Sequence, residues 1–387
     1  MLRLPKDYCL GRGPQTQALG YPLKSPLIER PIAPGGDPYG THRVILPPGA
    51  MPQPAWRLDN DFSRLFAGEV LLTVDVVNID AASFAQIEGE ARTAFSGGGE
   101  SEAIDEGIAH IFLRTIADRG KQHNPVTGSG GMLVGSVFQI APGRQTDAIR
   151  PGDRIATLAS LTLTPLRVDR VRAVRRASAQ IDVDGEAILF VSAPFAKLPD
   201  DIPERLALAA LDVAGAAPQV ARRVRPGGVV VVLGAAGKSG ILCAAEARRS
   251  GGVSARIVGI DASARAADEL RALNLCDAVI VADAREPLAV HRAVLDATGG
   301  AGADITFSCV NVPNAEMAAI LATREGGAVY FFAMSTSFTS AALGAEGVGK
   351  DVDLFVGNGY ARGHAEHTLA MLRDMPELRA LFERRYT

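Results

Sequence analysis

The segment from Gly227 to Gly240 constrains the fold of this 387-residue chain more than any other feature. It reads Gly-Gly-Val-Val-Val-Val-Leu-Gly-Ala-Ala-Gly-Lys-Ser-Gly, and the proline-free segment Ile241–Arg249 follows it. The valine run predicts a buried strand, and the residues after the glycines predict a helix. Strand, glycine turn and helix form the phosphate-binding unit of a dinucleotide fold. Glycines let a pyrophosphate approach the backbone, and the N–H groups of the helix start face its charge.

The same glycines could belong to a nucleoside-triphosphate P-loop, because Gly237-Lys238-Ser239 matches the end of that motif. A P-loop would need a glycine at position 232, where Val232 lies inside the strand. The dinucleotide pattern fits better, with Ala235 at its first glycine position and Gly237 and Gly240 at the other two. The residues expected to bind the cofactor in this turn are Gly234, Ala236, Gly237, Lys238, Ser239 and Gly240.

A carboxylate follows this turn at the spacing that a dinucleotide site requires. The next predicted strand, Ala255–Ile260, ends in Asp261, which lies 21 residues after Gly240. A spacing of about 20 residues is typical of the acid that accepts hydrogen bonds from the adenosine ribose. Because this acid repels a 2′-phosphate, it favours NAD over NADP. Arg265, a further expected cofactor contact, argues in the opposite direction. The alternative is that Asp261 caps the helix beginning at Ala264.

Composition excludes several classes of protein. A net charge of −3 gives a nucleic-acid partner no electrostatic support. No apolar run reaches the roughly 18 residues of a membrane span, and Met1–Arg12 lacks the apolar core of a signal peptide. We therefore expect a cytoplasmic protein. Its cysteines are far apart and form no Cys-x-x-Cys pair: Cys9, Cys243, Cys276 and Cys309.

The chain divides into regions that differ in their pattern of predicted strands and helices. Residues 1–60 are rich in proline and glycine and predict an irregular arm. Short strands are predicted at Met132–Ile140, Arg154–Leu161 and near Ala187–Val191. From a helix at Glu204–Arg223 onward, helices and strands alternate, which predicts an α/β doubly wound parallel sheet. The expected domains are a β-rich catalytic domain at 1–195, a dinucleotide-binding domain at 196–350, and a segment at 351–387 that returns to the catalytic domain.

The order of these features resembles the medium-chain dehydrogenase/reductase superfamily. The resemblance covers about 65–360 and depends on Gly-Glu-Val-Leu-Leu-Thr-Val at 68–74, Pro-Gly-Asp-Arg at 151–154 and the glycine turn. It implies a chaperonin-10-like domain, a Rossmann domain and a nicotinamide bound in the cleft between them. The zinc-dependent branch has a cysteine where Asn78–Ser83 stands here without one, so we expect no metal.

Three further stretches resemble a narrower family, the L-erythro-3,5-diaminohexanoate dehydrogenases. They are Pro38–Val44, Asn78–Glu88 and Gly357–Glu366. The resemblance implies NAD-dependent oxidative deamination of a diamino acid in lysine fermentation, giving 5-amino-3-oxohexanoate, ammonia and NADH. We also expect a homodimer.

That chemistry favours carboxylates as catalytic groups. Hydride can leave an amine-bearing carbon only when the amine is neutral, and the resulting iminium needs an activated water. Without zinc, a carboxylate can perform both proton transfers. Asp80, Glu88 and Glu90 lie in or just after the turn that faces the cleft in the resembled family. The alternative is that Asp80 caps a short helix and that both glutamates are solvated.

The remaining candidates follow the carboxyl ends of predicted strands, where ligands bind in open α/β sheets. We expect Cys309, Asn311 and Ala333 to contact the cofactor. Candidate substrate contacts are Ser83, Asn358 and Tyr360, and His364 is a further catalytic candidate.

Two other functions are compatible with the sequence. A zinc-free quinone or enoyl reductase shares the fold and the glycine turn, although such enzymes usually take NADPH and carry a basic residue where Asp261 stands. A binding protein that senses NAD without catalysis is the other alternative.

Overall fold

The computed structural model describes residues 28–94, 101–124, 128–144, 149–333 and 335–386. Cys9 and the first part of the predicted arm lie outside these ranges. The strands are β1 Ile32–Ala33, β2 Val44–Leu46, β3 Arg57–Leu58, β4 Leu65–Phe66, β5 Val70–Asn78, β6 Met132–Ile140, β7 Arg154–Thr157, β8 Leu166–Arg175, β9 Gln180–Leu189, β10 Phe195–Lys197, β11 Val229–Leu233, β12 Arg256–Asp261, β13 Ala278–Val281, β14 Ala303–Ser308, β15 Thr323–Phe331 and β16 Val352–Val356. The α-helices are α1 Ala81–Ala94, α2 Ser101–Arg119, α3 Glu204–Leu211, α4 Ala216–Arg223, α5 Lys238–Gly251, α6 Ala264–Ala272, α7 Pro287–Thr298, α8 Glu316–Ala322, α9 Phe338–Gly347, α10 His364–Asp374 and α11 Pro376–Tyr386.

The N-terminal lobe is built on an antiparallel sheet with the strand order β10-β7-β6-β5-β9-β8. Alternate residues of β5 face opposite sides, as the pleat requires. Leu72 and Val74 pack in an apolar cluster with Phe112 of α2. Leu71 packs on the other side with Phe62, which belongs to the segment preceding the sheet. Helices α1 and α2 therefore cover one face of the sheet, and residues 28–66 contribute to covering the other.

A buried charge network attaches the N-terminal arm to this sheet. Arg43 is fully buried, and its Nε and Nη2 donate to the two carboxylate oxygens of Glu69, each at 2.8 Å. His42 lies between Glu69 and Asp37, with its Nε2 2.9 Å from Glu69 Oε1 and its Nδ1 3.1 Å from Asp37 Oδ2. Removing one member of such a buried pair leaves an uncompensated charge. The arm is thus held by ionic contacts as well as by apolar packing.

The second sheet is entirely parallel, with the strand order β13-β12-β11-β14-β15-β16. Numbered along the chain within this sheet, that order is 3-2-1-4-5-6, which is the Rossmann arrangement. The α/β fold class expected from the sequence, a doubly wound parallel sheet plus a β-rich domain, is confirmed. The strand order reverses between β11 and β14, so a ligand crevice is expected beyond their carboxyl ends.

The C-terminal segment differs from its predicted course. Strand β16 pairs with β15 and extends the parallel sheet to Val356, past the expected domain boundary at 350. Helix α10 contacts α3 and α4, and α11 contacts α3. One apolar cluster joins this helical layer to both sheets, since it includes Val134 of β6, Leu206 of α3, Val232 of β11 and Phe382 of α11.

The predicted helix at Glu204–Arg223 is two helices in the structure. They are separated at 212–215, where the backbone approaches the loop after β16. A Cβ atom added to Gly215 would lie 2.4 Å from the carbonyl oxygen of Gly359, so this contact requires glycine.

Candidate active site

The glycine turn between β11 and α5 has the shape of a phosphate cradle. Gly234 has φ of +70°, and a Cβ there would lie 3.1 Å from the carbonyl carbon of Cys309. A Cβ on Gly240 would lie 2.0 Å from the carbonyl oxygen of Gly234, so α5 can approach β11 this closely only with glycine there. Because α5 begins at Lys238, the N–H groups of its first turn have no intrahelical acceptor. These features fit a dinucleotide pyrophosphate.

Asp261 lies against this turn at the end of β12. Its Oδ2 accepts a hydrogen bond from the N–H of Ala236 at 3.1 Å, and its Oδ1 accepts one from the N–H of Ser263 at 3.0 Å. The side chain that caps α6 is Ser263, which accepts from the N–H of Ala266. The structure therefore assigns the capping alternative to Ser263 and leaves the Asp261 carboxylate at the edge of the turn. Arg265 is exposed in the first turn of α6.

Two groups of the turn region, one side chain and one backbone carbonyl, have partners that are distant in the sequence. Lys238 Nζ donates to Asp212 Oδ2 at 2.9 Å and lies 5.3 Å from the ring centre of Tyr386. The carbonyl oxygen of Ala236 accepts from Arg385 Nη1 at 2.6 Å. Sequence reasoning missed Asp212 and Arg385, because no local pattern relates residues so far apart. Ser239, half-buried, shares the first turn of α5 with Lys238.

The predicted contacts after β14, β15 and β16 lie along one edge of the parallel sheet. Backbone hydrogen bonds place these strand ends side by side: Cys309 N to Leu233 O at 2.9 Å, Phe332 N to Ser308 O at 2.9 Å and Gly357 N to Phe331 O at 2.7 Å. Asn311 and Asn358 are exposed beyond this edge, and Ala333 is half-buried. The Cys309 Sγ lies 3.7 Å from the Sγ of buried Cys243.

Tyr360 and His364 form a ring contact where the chain enters α10. Their ring centres are 5.1 Å apart in an edge-to-face arrangement. Tyr360 is exposed, whereas only 4% of His364 is exposed. Burial lowers the pKa of His364, which favours the neutral imidazole.

The three predicted catalytic carboxylates have different surroundings. Asp80 precedes α1 and accepts hydrogen bonds from the backbone N–H and the hydroxyl of buried Ser83, as a helix cap does. Glu88 accepts from Arg92 one helical turn away. Glu90 Oε1 accepts from Arg114 of α2 at 2.9 Å.

A cavity of 690 Å³ lies between α1, α2 and the loop after α2. It brings together Ser83 and Glu90 from the predicted set, whereas Asp80 and Glu88 are not among its lining residues. Residues that the sequence did not single out as site residues also line it: Trp56, Gln86, Ile87, Ile111, Arg114, Thr115, Asp118, Arg119, Gln122, His123 and Asn124. A volume of several hundred Å³ is typical of small-molecule sites.

His123 in this cavity is held as a neutral imidazole. Its Nδ1 lies 2.7 Å from Nη1 of Arg119, whose guanidinium lies 3.9 Å from the ring centre of Trp56. Because a guanidinium can only donate, Nδ1 accepts and the ring proton is on Nε2. Burial, together with the positive charges of Lys121 and Arg119, lowers the pKa of His123 to about 4.

Lys121 fixes the loop next to His123. Its ammonium is fully buried and donates to the carbonyl oxygens of Pro52, Gln53 and Thr162, at 2.6, 2.9 and 2.9 Å. Burial lowers the pKa of Lys121 to about 8. This lysine joins the arm, the end of α2 and the loop before β8 at the cavity wall.

The described ranges contain neither a cluster of metal ligands nor a helix suited to a membrane. Within residues 28–94, 101–124, 128–144, 149–333 and 335–386, His, Cys, Asp and Glu side chains form no group of three or more that could hold a metal ion. In the same part of the chain, no helix has the length and apolarity needed to cross a membrane.

Comparison with solved structures shows the fold. The JamJ enoyl reductase in its apo form aligns with a TM-score of 0.51 and 12% sequence identity, over 82% of this chain and 81% of that chain. At so low an identity the likeness concerns the fold alone.

Comparison with sequences identifies the family. The profile described as the N-terminal domain of L-erythro-3,5-diaminohexanoate dehydrogenase matches residues 42–199. The L-erythro-3,5-diaminohexanoate dehydrogenase of Acetoanaerobium sticklandii is 48% identical over 91% of this chain and 99% of its own length. The enzyme of the same name from Fusobacterium nucleatum subsp. nucleatum is 47% identical over 91% of this chain and 99% of its own. This chain is therefore a dehydrogenase, an oxidoreductase that belongs to the L-erythro-3,5-diaminohexanoate dehydrogenase family.

Proposed function

We propose that the protein catalyses NAD-dependent oxidative deamination of L-erythro-3,5-diaminohexanoate, giving 5-amino-3-oxohexanoate, ammonia and NADH in lysine fermentation. The observation that carries this proposal is the 48% identity to an enzyme of that name over 91% of the chain. The placement of Asp261 beside the glycine turn supports NAD as the cofactor. NAD, when bound, accepts the hydride; every proton transfer is assigned to side chains of this chain.

The cofactor assignment depends on the turn and its carboxylate. The N–H groups of the first turn of α5 would bind the pyrophosphate, and Asp261 would accept hydrogen bonds from the adenosine ribose. Both Asp261 oxygens already accept one backbone hydrogen bond, which fixes the carboxylate in place. A 2′-phosphate would meet this negative charge, so NADP should be the poorer cofactor.

The cavity between α1 and α2 suits a substrate that carries one carboxylate and two ammonium groups. Its wall contains acidic side chains, Glu90 and Asp118, together with basic ones, Arg114 and Arg119. The acidic groups would hold ammonium groups, and the arginines would hold the carboxylate. Trp56 would cover the aliphatic carbons.

Proton transfer is assigned to a carboxylate at this cavity. An ionised carboxylate can take one proton of the substrate ammonium and release it to solvent; ionised again, it can take a proton from the water that attacks the iminium. Glu90 is the first candidate, because it lines the cavity. Asp80 is the second candidate, because it accepts a hydrogen bond from Ser83, which lines the cavity. His364 is the third candidate.

A coupled assay tests the reaction. Purified protein is mixed with the diamino acid and NAD, and NADH absorbance and ammonia are followed in the same sample. We expect equal yields of NADH and ammonia, with a higher kcat/KM for NAD than for NADP. Reduction of quinones or enones without ammonia release would establish the reductase alternative, and binding of NAD without any turnover would establish the sensor alternative. Equal or better use of NADP would contradict the role of Asp261.

We also propose that the protein is cytoplasmic and forms a homodimer. Its small-molecule partner is the diamino acid substrate. Exposed apolar side chains on the edge strand β16 and on α9 support the dimer: 63% of Val356 and 62% of Leu343 are exposed. Apolar patches of this kind are typical of association surfaces.

A further inference from the structure

The last helix of the chain ends at the glycine turn. Leu378, Leu381 and Phe382 anchor α11, since each is at least 99% buried. One turn later, Arg385 Nη1 donates to the carbonyl oxygen of Ala236 at 2.6 Å. Its Nε donates to Glu269 Oε2 of α6 at 2.7 Å. Arg385 thus joins the glycine turn to the helix that follows Asp261.

The backbone N–H and the backbone carbonyl of Ala236 each form a hydrogen bond with a side chain. Its carbonyl oxygen accepts from Arg385, and its N–H donates to Asp261 Oδ2 at 3.1 Å. The side chain that would bind the ribose therefore shares a backbone partner with a residue at the end of the chain. A shift of Ala236 would move the pyrophosphate cradle and release one hydrogen bond of Asp261.

Arg385 also balances a negative charge beside the cradle. The side chains of Arg385 and Glu269 are only 18% and 26% exposed, so water screens this pair incompletely. The hydrogen bond from Arg385 lowers the pKa of Glu269, which stays ionised at neutral pH. Without the guanidinium, Glu269 would lose its hydrogen-bonded partner and keep only the weaker influence of Arg265 and Arg384.

We propose that Arg385 is a positioning residue for nucleotide binding: it fixes the Ala236 carbonyl and neutralises Glu269 at the phosphate cradle. This inference rests on the proposed use of a dinucleotide cofactor. According to this inference, cofactor affinity depends on the end of α11 as well as on the glycine turn.

The test is NADH binding to the purified full-length chain, followed by fluorescence and repeated with ADP-ribose by calorimetry. Arg385→Ala should raise the dissociation constant of both about 10-fold, the effect of losing a hydrogen bond from a charged donor. KM for NAD should rise similarly, whereas kcat at saturating NAD stays near wild type. Arg379→Ala, in the same helix but with its guanidinium on Glu383 at 2.9 Å, is the matched control and should bind like wild type.

Two further variants separate positioning from folding. Arg385→Lys keeps the charge and one donor, so it should recover part of the affinity. Adding Glu269→Gln to Arg385→Gln should also recover part of it, because the uncompensated carboxylate is removed. If Arg385→Ala does not fold, Arg385→Gln replaces it in the same titration.

Wild-type affinity in a folded Arg385→Ala or Arg385→Gln variant would overturn the inference, and so would equal losses in Arg379→Ala and Arg385→Ala. If the wild-type protein binds neither NADH nor ADP-ribose, the proposed cofactor is wrong, and that result is distinct from a failure of Arg385 alone.

Discussion

Glu88 and Glu90 are close in sequence but differ in what they can reach. Glu90 lines the cavity between α1 and α2, whereas Glu88 pairs with Arg92 along α1. If Glu90 is the base, Glu90→Gln should lower kcat by about 10²–10⁴-fold, the usual contribution of general-base catalysis. Glu88→Gln should keep nearly normal turnover. Steady-state kinetics with the diamino acid, combined with NADH titration, measures both variants.

Unchanged turnover in Glu90→Gln would transfer the role to Asp80 or His364. Asp80→Asn must be assayed together with its thermal stability, because Asp80 also caps α1 through Ser83. A variant that binds NADH normally, remains folded and has lost turnover identifies the base.

His42 makes the stability of the arm depend on pH. Burial alone would lower the pKa of His42, but hydrogen bonds to the carboxylates of Glu69 and Asp37 raise it above its usual 6.5. Both carboxylates have lowered pKa values and stay ionised at neutral pH. A raised pKa in the folded state stabilises the protein below the unfolded pKa of about 6.5, and this contribution is lost as pH rises through the folded value.

We therefore expect His42→Gln to lower the free energy of unfolding more at pH 6 than at pH 9. Urea unfolding of wild type and variant across this range measures the difference. His110→Gln is the matched control, since His110 is an exposed histidine on α2. A His42→Gln effect that is constant with pH would contradict the proposed charge of His42.

At the scale of elements, the close contact between β11 and α5 depends on Gly240. A Cβ there would meet the Gly234 carbonyl oxygen at 2.0 Å and the Ala235 Cα at 2.7 Å, which are rigid backbone atoms. Gly240→Ala should therefore destabilise the fold by roughly 1–3 kcal/mol, the cost of overpacking, and weaken NADH binding. Chemical denaturation and NADH titration measure the two effects.

Gly89→Ala supplies the control for that substitution. Gly89 lies inside α1, and a Cβ there has no neighbour within 4 Å. Alanine should raise helix stability by about 0.5–1 kcal/mol and leave NADH affinity unchanged. Equal effects of the two substitutions would show that the crowding at Gly240 is unimportant.

The elements that the sequence predicted best are those with strong local signals. Strand β11, its glycine turn and α5 follow from consecutive valines and glycines, and Asp261 follows from spacing. Strand β8 was missed because bulges between Val168 and Arg170 and between Val171 and Ala173 break the alternation of apolar and polar residues.

The site contacts that were missed depend on tertiary structure. Arg385 and Ala236 are 149 residues apart, and Lys238 reaches Asp212 in the break between α3 and α4. Arg119 is only four residues before His123 in the sequence, but the fold is needed to bring Trp56 to this pair. Pairings of this kind have no local periodicity, so a single sequence does not indicate them.

At the scale of the whole molecule, the β16 edge of the parallel sheet is the best candidate for the interface of the proposed homodimer. Strand β16 ends the sheet, and 63% of Val356 is exposed there. Unpaired edge strands with apolar side chains pair readily with a second copy, and a lysine opposes such pairing. Val356→Lys should therefore shift the protein from dimer toward monomer.

Light scattering coupled to size-exclusion chromatography measures this shift. Val253→Lys is the control, because Val253 is 98% exposed in the short turn after α5, away from β16. A dimer that persists in Val356→Lys would place the interface elsewhere, and a monomeric wild type would contradict the homodimer itself.

The apolar cluster that joins both sheets to the C-terminal helices limits how this enzyme can be recombined. Val134 and Ala156 of the N-terminal lobe share that cluster with Leu206 and Phe382. A chimera made by exchanging the cofactor domain at residue 195 would place the apolar surface of one enzyme's N-terminal lobe against the helices of another. The two surfaces would not be complementary. Successful exchange between relatives would have to carry β6, β7 and α11 along with the parallel sheet.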